Sequence, residues 1–450
     1  MKTRQFWYPL PERLIAQHPA ERRGTEKMMV LHRDTGVIEH RHIADIVEYI
    51  TANDLLVVND TKVFPARLIG EWPDTHGAVE VLMVSAAPMD VEEAGREGAP
   101  RTEGEAGRAA ADRGDATFLS RENKEDASDT RDRNVASPLV VASPLNVAAP
   151  LFGADITTAL KWNVIIGSGR KCREGQVAVF GPNGELTATL LKPLSGIGMW
   201  QVEFRCERPL MDLLDEFGHT PVPPYVKREG TAEEEKEDRE RYQTIYAREV
   251  GSVAAPTAGL HFTPEIFAAL EAKGVRRVAV TLHVGPGTFR PVKADNIEDH
   301  QMDFEAFTVP PEAAEAINAC KARGGRVFCV GSTTVRTLET VAAGLADEAG
   351  REARPVRNDE AAEDRTGRAL AARLGQPVVV PGSGASNIFI YPPYRFRVCD
   401  CMLTNFHLPQ STLLMMISAL AGRERVLCAY AMAVQKNYMF FSYGDCMLIV

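Results

Sequence analysis

The first half of the chain alternates short apolar runs with turn residues. Residues 54–58 read DLLVV and are followed by Asn59-Asp60-Thr61. Further short apolar runs, separated by Gly, Pro or Asn, lie at residues 79–84, 162–166, 176–180, 187–191 and 200–204. This spacing predicts the strands of a small β-barrel, in which one connection carries a long charged insertion.

Helical patterns appear in the second half. Thr263 and Pro264 begin a predicted helix that ends at Gly274, because proline suits the first helical position and glycine the end. The pattern then predicts strands at 278–284 and 326–330, helices at 311–322, 334–342, 411–421 and 425–435, and a strand and turn at 438–450. We therefore predict a large mixed α/β domain (residues 1–65 and 208–450) with an inserted β-barrel domain (residues 66–207).

Two segments differ in composition from the rest of the chain. Residues 91–133 are highly charged and nearly free of aromatics, and residues 135–151 repeat a Val-Ala-Ser-Pro-Leu pattern with little variation. Such a segment buries too little apolar surface to fold, so a disordered insertion is predicted at residues 86–156. Residues 346–376 are rich in Ala, Arg and Glu and are predicted to be a surface insertion in the large domain.

The composition of the whole chain narrows the class of protein. Its 450 residues are 45% hydrophobic and 25% charged, which is enough apolar content for a sizeable core. This excludes a coiled coil, a small disulfide-stapled module and a wholly disordered tail. The net charge of −10 excludes a polycationic nucleic-acid coat, but it allows a local basic patch and an RNA substrate.

The cysteines and the N-terminus indicate the compartment. No two of the eight cysteines form a C-x-x-C motif and most lie beside apolar residues, so reduced thiols are predicted. Residues 1–10 have no apolar signal core, and no apolar run approaches the roughly 18 residues of a membrane span. We expect a cytoplasmic protein with no membrane contact. His300, Asp303 and Glu305 match no zinc-site spacing, so no metal is expected.

Two histidines lie in segments whose small and polar residues form no amphipathic face. Residues 251–263 surround His261 with glycines, a proline and hydroxyls. Residues 281–289 place His283 near the end of a strand, before a Gly-Pro-Gly turn that lets the backbone approach a ligand closely. By residue type alone, a structural histidine in a tight connection is the better explanation of His261.

Three more segments carry candidate chemistry. Residues 331–336 follow a strand and open a helix with three hydroxyls and Arg336, which makes a candidate site for a carboxylate or phosphate. His407 stands just before a helix N-terminus, and residues 442–445 form a polar turn in an apolar C-terminus. Neither a P-loop nor a dinucleotide fingerprint is present.

Together these segments resemble the tRNA ribosyltransferase-isomerase family of queuosine biosynthesis, which uses S-adenosylmethionine as ribosyl donor. The resemblance is carried by LIAQHP (14–19), GVIEHRH (36–42), NDTKV (59–63), PPY (223–225), RYQT (241–244), GSVAAPTAGLHFTPE (251–265), TLHVGPGTFRPV (281–292), VRTLE (335–339), TNFHLPQSTLL (404–414) and FFSYGD (440–445). These strings span nearly all of the chain outside the two insertions.

The resemblance implies a specific reaction. The ribosyl group of S-adenosylmethionine moves to 7-aminomethyl-7-deazaguanine at the tRNA wobble position and is rearranged, which gives epoxyqueuosine and releases adenine and methionine. A sulfonium acidifies the neighbouring carbon, so a positioned base can start the rearrangement. The expected partners are S-adenosylmethionine and the tRNA anticodon arm. A monomer is expected, with no cofactor beyond S-adenosylmethionine as co-substrate.

The matched motifs imply the site residues. The groups expected to act in proton transfer or charge stabilisation are His261, His283, His407, Asp303, Glu305 and Asp445. S-adenosylmethionine is expected at Thr257, Gly259, Gly285, Gly287, Thr288, Ser332, Thr333, Arg336, Asn405 and Tyr443. Arg336 is the candidate partner of the methionine carboxylate. The tRNA is expected at Tyr225, Arg239, Arg241 and Tyr242.

Two positions depart from the family pattern. A histidine usually stands where this chain has Asp303, and an arginine where it has Met439. Asp303 can substitute as a base, whereas Met439 supplies no charge. A second hypothesis is therefore a catalytically silent tRNA-binding relative, against which the retained histidines and Asp445 argue. A third, an ordinary S-adenosylmethionine methyltransferase, lacks its expected Gly-rich loop.

Overall fold

A computed structural model of the protein describes residues 1–86, 160–168, 171–289, 292–348 and 377–450. Its strands are β1 (Lys27–Leu31), β2 (Ile38–His42), β3 (Leu55–Asn59), β4 (Thr61–Val63), β5 (Arg67–Trp72), β6 (Gly77–Ala86), β7 (Lys161–Ser168), β8 (Val177–Phe180), β9 (Leu186–Pro193), β10 (Met199–Cys206), β11 (Glu249–Ser252), β12 (Arg276–Leu282), β13 (Glu305–Val309), β14 (Val327–Val330), β15 (Gly382–Ser386), β16 (Cys401–Asn405) and β17 (Cys446–Ile449). Its α-helices are α1 (Ile46–Tyr49), α2 (Leu210–Phe217), α3 (Ala232–Arg241), α4 (Pro264–Ala272), α5 (Pro311–Ala322), α6 (Gly331–Glu348), α7 (Thr412–Ala421) and α8 (Arg423–Gln435).

A nine-stranded mixed sheet has the strand order β15-β13-β12-β3-β14-β16-β17-β1-β2. Strands β12, β3, β14 and β16 run parallel to one another at its centre. The apolar run of β3 is buried throughout, as expected of a parallel strand that is covered on both faces. Leu55 and Val57 belong to one hydrophobic core, whereas Leu56 and Val58 belong to a second, because successive side chains point to opposite faces.

The helices that cover this sheet begin at clear sequence signals. The Thr263 hydroxyl accepts a hydrogen bond from the Ile266 amide, and Pro264 occupies the first turn of α4. The chain leaves α4 through Gly274, whose φ of 78° favours glycine. Likewise, the Ser411 hydroxyl caps α7 by accepting from the Leu414 amide.

The second part of the fold is a closed six-stranded barrel with the order β10-β7-β6-β5-β8-β9. Alternating burial along β7 and β9 reflects the period of two expected for a half-buried strand. The inward-facing positions form a separate core that includes Trp72, Trp162, Phe180 and Phe204. The barrel lies between β4 and α2 in the chain, so it interrupts the larger part of the fold.

The fold class is therefore confirmed: a large mixed α/β domain with an inserted β-barrel. Some element bounds were predicted less well, since the helix predicted to start at residue 334 begins at Gly331. Eight strands were not predicted, namely β1, β2, β4, β5, β11, β13, β15 and β16. The proposed domain bounds stay a prediction. Nearly all of the insertions predicted at 86–156 and 346–376 lies outside the described residues, and Ala86 itself belongs to β6.

Replacing Gly70 by alanine is expected to destabilise the barrel by about 1–3 kcal/mol through overpacking. A Cβ at Gly70 in β5 would stand 2.2 Å from the carbonyl oxygen of Val179 and 2.5 Å from the Phe180 ring. Both belong to the paired strand β8, so an added methyl group would force one of the two strands to shift. Urea unfolding measures the loss. The control is Gly167→Ala in β7, where the nearest atom would be the Glu80 Cβ at 3.5 Å; equal losses for both variants would contradict this prediction.

Candidate active site

The carboxyl ends of the four central parallel strands meet at one edge of the sheet. Strand β3 ends at Asn59, β12 leads to Val284, β14 leads to Gly331, and β16 ends at Asn405. Ligands bind at such an edge in open α/β sheets, particularly where the strand order reverses. Here β12 and β14 lie on opposite sides of β3, which provides such a point.

A cleft at this edge, which we call the first cavity, contains about 940 Å³ of empty space, including the part open to solvent. Six of the predicted site residues line it: Tyr225, Thr257, Ser332, Thr333, Asn405 and His407. The structure thus brings together residues from four separate sequence motifs. Apolar and polar lining groups are mixed, as is usual in small-molecule sites.

The N-terminus of α6 opens into the first cavity through Gly331, Ser332 and Thr333. The first turn of a helix has unpaired amide groups and the positive end of the helix dipole, so it attracts a carboxylate. Asn59 holds this turn, because its side-chain amide donates to the Leu282 carbonyl at 2.9 Å and to the Thr333 hydroxyl at 3.0 Å. Asn59 was not among the predicted site residues, although its place as a polar residue at the end of a buried strand was an available signal.

The lining of the first cavity also contains Tyr225 and Phe441, whose rings stack with centroids 4.4 Å apart. The Tyr225 hydroxyl lies 2.7 Å from the Ser442 hydroxyl, which fixes the tyrosine at the wall. Burial raises the pKa of Tyr225 to about 12, so its hydroxyl stays protonated at neutral pH. Ser442 also lines a neighbouring cleft and so connects the two spaces.

That neighbouring cleft, the second cavity, has about 250 Å³ of empty space and includes Arg23, Glu26, His261 and Tyr443 in its lining. His261 stands at the partition between the cavities, since its Nε2 lies 3.3 Å from the Asn405 Nδ2. The Asn405 amide nitrogen also donates to the Phe441 carbonyl, so it is the donor and His261 Nε2 the acceptor. The proton of neutral His261 is therefore on Nδ1.

The Nδ1 atom of His261 faces a carboxylate that sequence analysis did not select. Glu26 Oε1 lies 3.8 Å from His261 Nδ1, and the two side chains are only 10% and 2% exposed. Burial acts to raise the pKa of Glu26, but the neighbouring His261 and backbone amides outweigh it and hold the pKa below its usual value. Among the described residues, His261 Nδ1 has no hydrogen-bond partner.

His407 lines the first cavity, and its surroundings differ from those of His261. Its Nε2 lies 2.8 Å from the Thr404 hydroxyl, and its backbone is held by Tyr8 and Tyr430. Burial lowers the pKa of His407 to about 3, so the ring is neutral and a weak base at physiological pH. His407 is therefore better suited to binding than to proton transfer.

Acidification is expected to destabilise the protein partly through His407. Its pKa of about 3 in the folded state lies below the value of about 6.5 for an unfolded histidine, so stability is lost as pH falls from 6.5 towards 3. We expect the urea midpoint of His407→Gln to fall less steeply than that of the wild type between about pH 6.5 and 4.5. His18→Gln, at an exposed site, is the control and should keep the wild-type slope. A wild-type slope for His407→Gln would refute the prediction.

His283 lines neither cavity. Its Nδ1 is 2.8 Å from the Thr61 hydroxyl, and its ring packs where a side chain at Gly251 would stand. Burial lowers the pKa of His283, with Glu249 opposing the shift. The three predicted histidines thus occupy three different environments, and only His261 lies between the cavities.

Arg336, the predicted partner of the methionine carboxylate, is buried and lines neither cavity. Its Nη1 donates to the Glu305 carboxylate in an ion pair whose side chains are both 4% exposed. The other Glu305 oxygen accepts from the Gly285 amide at 3.0 Å, so the pair anchors the turn after β12. Glu305 consequently neutralises Arg336 and does not line either cavity.

Four other predicted site residues line neither cavity. The two Asp445 carboxylate oxygens accept hydrogen bonds from the backbone amides of Lys27 and Met439. Asp445 therefore links the start of β1 to the segment before β17. Asp303 packs against Gly287 outside both cavities. Gly259 leaves room for the Tyr246 hydroxyl, which would lie 2.1 Å from an added Cβ. Thr288 belongs to the short 3-10 helix Pro286–Phe289.

The residues predicted to contact tRNA are also engaged within the protein. Tyr242 is 1% exposed and packs edge-on against Tyr443, so its burial does not fit a direct RNA contact. Arg239 donates to the Asp215 carbonyl at 2.8 Å, and Arg241 to the Ala20 carbonyl at 2.7 Å. Arg241 also lines the second cavity, which keeps it near the candidate site.

Two further features bear on cofactors and membranes. Within the described ranges, no group of three or more His, Cys, Asp and Glu side chains is arranged to hold a metal ion. In the same part of the chain, no helix is both long and apolar enough to span a membrane.

Comparison with known proteins adds independent information. The family model described as queuosine biosynthesis protein matches residues 3–126 and 134–449. S-adenosylmethionine:tRNA ribosyltransferase-isomerase of Acetivibrio thermocellus is 38% identical over 449 residues, and that of Symbiobacterium thermophilum is 38% identical over 450 residues, with 100% of each chain covered. A crystal structure of S-adenosylmethionine tRNA ribosyltransferase from Thermotoga maritima is 27% identical, with 99% of this chain and 100% of that chain covered and a TM-score of 0.42.

Proposed function

The chain belongs to the queuosine biosynthesis family of S-adenosylmethionine:tRNA ribosyltransferase-isomerases. We propose that it catalyses the ribosyl transfer and isomerisation of that family in the two adjoining cavities. The enzyme transfers the ribosyl group of S-adenosylmethionine to 7-aminomethyl-7-deazaguanine at the tRNA wobble position. Isomerisation gives epoxyqueuosine, and adenine and methionine leave. The names of the relatives all state this activity and give no support to a silent tRNA-binding relative.

The first cavity is the proposed site of S-adenosylmethionine. The observation that carries this assignment is the opening of the α6 N-terminus into the cavity at residues 331–333. We assign the methionine carboxylate to these amides, in place of the Arg336 side chain that pairs with Glu305. The Tyr225–Phe441 stack offers an apolar aromatic wall for the rest of the molecule.

His261 is the proposed proton-transfer group. The rearrangement needs a base for the carbon next to the sulfonium, and adenine departs more easily when one of its ring nitrogens is protonated. An imidazole whose Nε2 accepts from Asn405 and whose Nδ1–H faces Glu26 can take a proton and remain close to a balancing charge. The buried partition between the cavities also strengthens electrostatic interactions there.

The decisive test is mass spectrometry of tRNA nucleosides. Purified protein is incubated with S-adenosylmethionine and tRNA that carries 7-aminomethyl-7-deazaguanine. Epoxyqueuosine with equimolar adenine is the expected product, and it would show that Asp303 and Met439 are tolerated. Binding of tRNA without either product would instead favour the silent relative.

Ser332→Asp is expected to raise the Kd for S-adenosylmethionine about tenfold or more, since a carboxylate at the α6 N-terminus competes with the methionine carboxylate. Acidic groups stabilise a helix N-terminus, so the variant is expected to fold. Calorimetric titration measures the Kd. The matched control is Ser332→Asn, which has nearly the same shape without the charge and should bind within about threefold of the wild type. Equal Kd values for the two variants would exclude this carboxylate position.

The remaining proposals concern the compartment, the oligomeric state, the tRNA contact and the cofactor requirement of the enzyme. We propose that the protein acts in the cytoplasm as a monomer, contacts the tRNA anticodon arm, and needs no cofactor beyond S-adenosylmethionine. The eight cysteines, all unpaired, support a reducing environment. From the predicted strand pattern, we also propose that the barrel domain begins at residue 66 and ends at residue 207.

A further inference from the structure

Asn59, at the end of β3, is a fully buried side chain whose hydrogen-bonding groups are all used. Its Oδ1 accepts from the backbone amides of Leu282 at 3.0 Å and Thr61 at 3.2 Å. Its Nδ2 donates to the Leu282 carbonyl at 2.9 Å and to the Thr333 hydroxyl at 3.0 Å. Turning the amide over would set its NH2 group against two backbone N–H donors, so the contacts fix which end donates. Thr333 Oγ1 is therefore the acceptor in its bond with Asn59.

The proton of the Thr333 hydroxyl is consequently left for another acceptor. Threonines inside helices commonly donate to the carbonyl four residues earlier, and two threonines of α6 do so. Thr334 donates to the Val330 carbonyl at 2.8 Å, and Thr337 donates to the Thr333 carbonyl at 3.0 Å. Among the described residues, the Thr333 hydroxyl has only its bond from Asn59, although the residue is 7% exposed. Buried polar groups are normally paired, so this unused proton indicates a ligand.

The Thr333 hydroxyl lies where the first cavity meets the start of α6. Thr333, Gly331 and Ala258 all line this cavity. A Cβ added at Gly331 would stand 3.8 Å from Thr333 Oγ1 and 3.6 Å from the Ala258 Cβ, so the space beside this turn is open. The unpaired amides of the first helical turn and the positive end of its dipole are also located here. A carboxylate has two oxygens, so one can accept from the turn amides and the other from the hydroxyl.

We propose that the Thr333 hydroxyl donates to the methionine carboxylate of S-adenosylmethionine, and that Asn59 is the positioning residue that turns this proton toward the ligand. Asn59 itself lines neither cavity, so it acts through Thr333. A hydrogen bond to a charged acceptor is stronger than one between neutral groups, so the hydroxyl favours ligands that carry the carboxylate. The proposal rests on the proposed function, because it concerns the recognition of that reaction's ribosyl donor.

Calorimetric titration with two ligands, S-adenosylmethionine and its analogue without the carboxyl group, tests the role of Thr333. Thr333→Val keeps the side-chain shape without the hydroxyl. It is expected to raise the Kd for S-adenosylmethionine about tenfold or more and to leave the Kd for the analogue within about threefold of the wild type. Thr333→Ser keeps the hydroxyl and should bind both ligands within about threefold of the wild type. The matched control is Thr337→Val, which removes a buried hydroxyl of the same helix outside both cavities and should leave both Kd values unchanged.

Asn59→Ala tests the positioning role. Without the Asn59 amide, the Thr333 hydroxyl can turn back to its own helix, so the Kd for S-adenosylmethionine is expected to rise about three- to tenfold more than that for the analogue. A residue that acts only through Thr333 should add nothing to the ratio of the two Kd values once Thr333→Val is present. The melting temperature measures the structural cost of Asn59→Ala separately. If Asn59→Ala does not fold, Thr333→Val and Thr333→Ser still test the hydroxyl.

Activity measurements separate this proposal from the proposed function. Absence of epoxyqueuosine with the wild type would refute the proposed function. With an active wild type, a Thr333→Val variant that binds both ligands as the wild type does, or that weakens both equally, would overturn the role of the Thr333 hydroxyl. Equal weakening of both ligands by Asn59→Ala, or an effect on the Kd ratio that persists beside Thr333→Val, would overturn the positioning role of Asn59.

Discussion

His261→Gln is expected to lower kcat by about 10²–10⁴-fold while the Kd for S-adenosylmethionine stays within about threefold of the wild type. This is the range that a lost general acid–base group produces. Glutamine fills a similar volume and can hydrogen-bond, but it cannot take up a proton at neutral pH. The loss should therefore appear in the chemical step rather than in binding.

The environments of the three histidines lead to this expectation. His407 is neutral because burial lowers its pKa to about 3, and His283 lies outside both cavities against Thr61. His261 alone of the three stands at the partition, with Asn405 on one ring nitrogen and Glu26 facing the other. A base that transfers protons must lie near the substrate, and His261 lines the second cavity while Asn405, its neighbour at 3.3 Å, lines the first.

Single-turnover adenine release measures the effect of His261→Gln. His283→Gln is the matched control, because it makes the same chemical change at a partly buried histidine outside the cavities. We expect it to retain more than about a tenth of the wild-type rate. If His261→Gln also retains a tenth, or if His283→Gln has the larger effect, His261 is not the proton-transfer group.

Lys321→Met is expected to destabilise the fold by about 3–5 kcal/mol, because it leaves the Asp400 carboxylate charged and buried without its partner. Lys321 Nζ donates to Asp400 Oδ2 at 2.7 Å, and the two side chains are 1% and 2% exposed. The same oxygen accepts from the Val327 amide, so Asp400 joins α5 to the start of β14. Loss of this link is expected to destabilise β14, which lies at the centre of the nine-stranded sheet.

Urea unfolding, followed by circular dichroism, measures the change. Arg208→Met is the control, since it removes the cation of an ion pair with Glu216 in which both side chains are about half exposed. Water and salt screen such a pair, so no measurable change is expected. A Lys321→Met variant as stable as Arg208→Met would show that the buried pair contributes nothing to stability.

Regular elements with strong local signals could be predicted from sequence. The helix at residues 311–322 has its predicted bounds, and the barrel strands predicted near 162–166 and 200–204 lie within β7 and β10. Apolar periodicity and helix-capping residues depend on a few neighbouring positions, so both can be recognised in the sequence without knowledge of the tertiary structure. Strand β2 was missed because it reads Ile-Glu-His-Arg-His and lies at the sheet edge, where burial imposes little pattern.

The family, the mixed fold with its barrel and the motifs that supply the site could all be predicted from the amino-acid sequence. Which of those residues come into contact became known from the folded structure. Arg336 was expected at a substrate but pairs with Glu305, and Glu26 came to His261 from a segment 235 positions earlier in the chain. Such pairings depend on strand order and on burial, and a charged side chain that loses water must take whichever partner the fold places beside it. Local sequence patterns specify the elements, but not these neighbours.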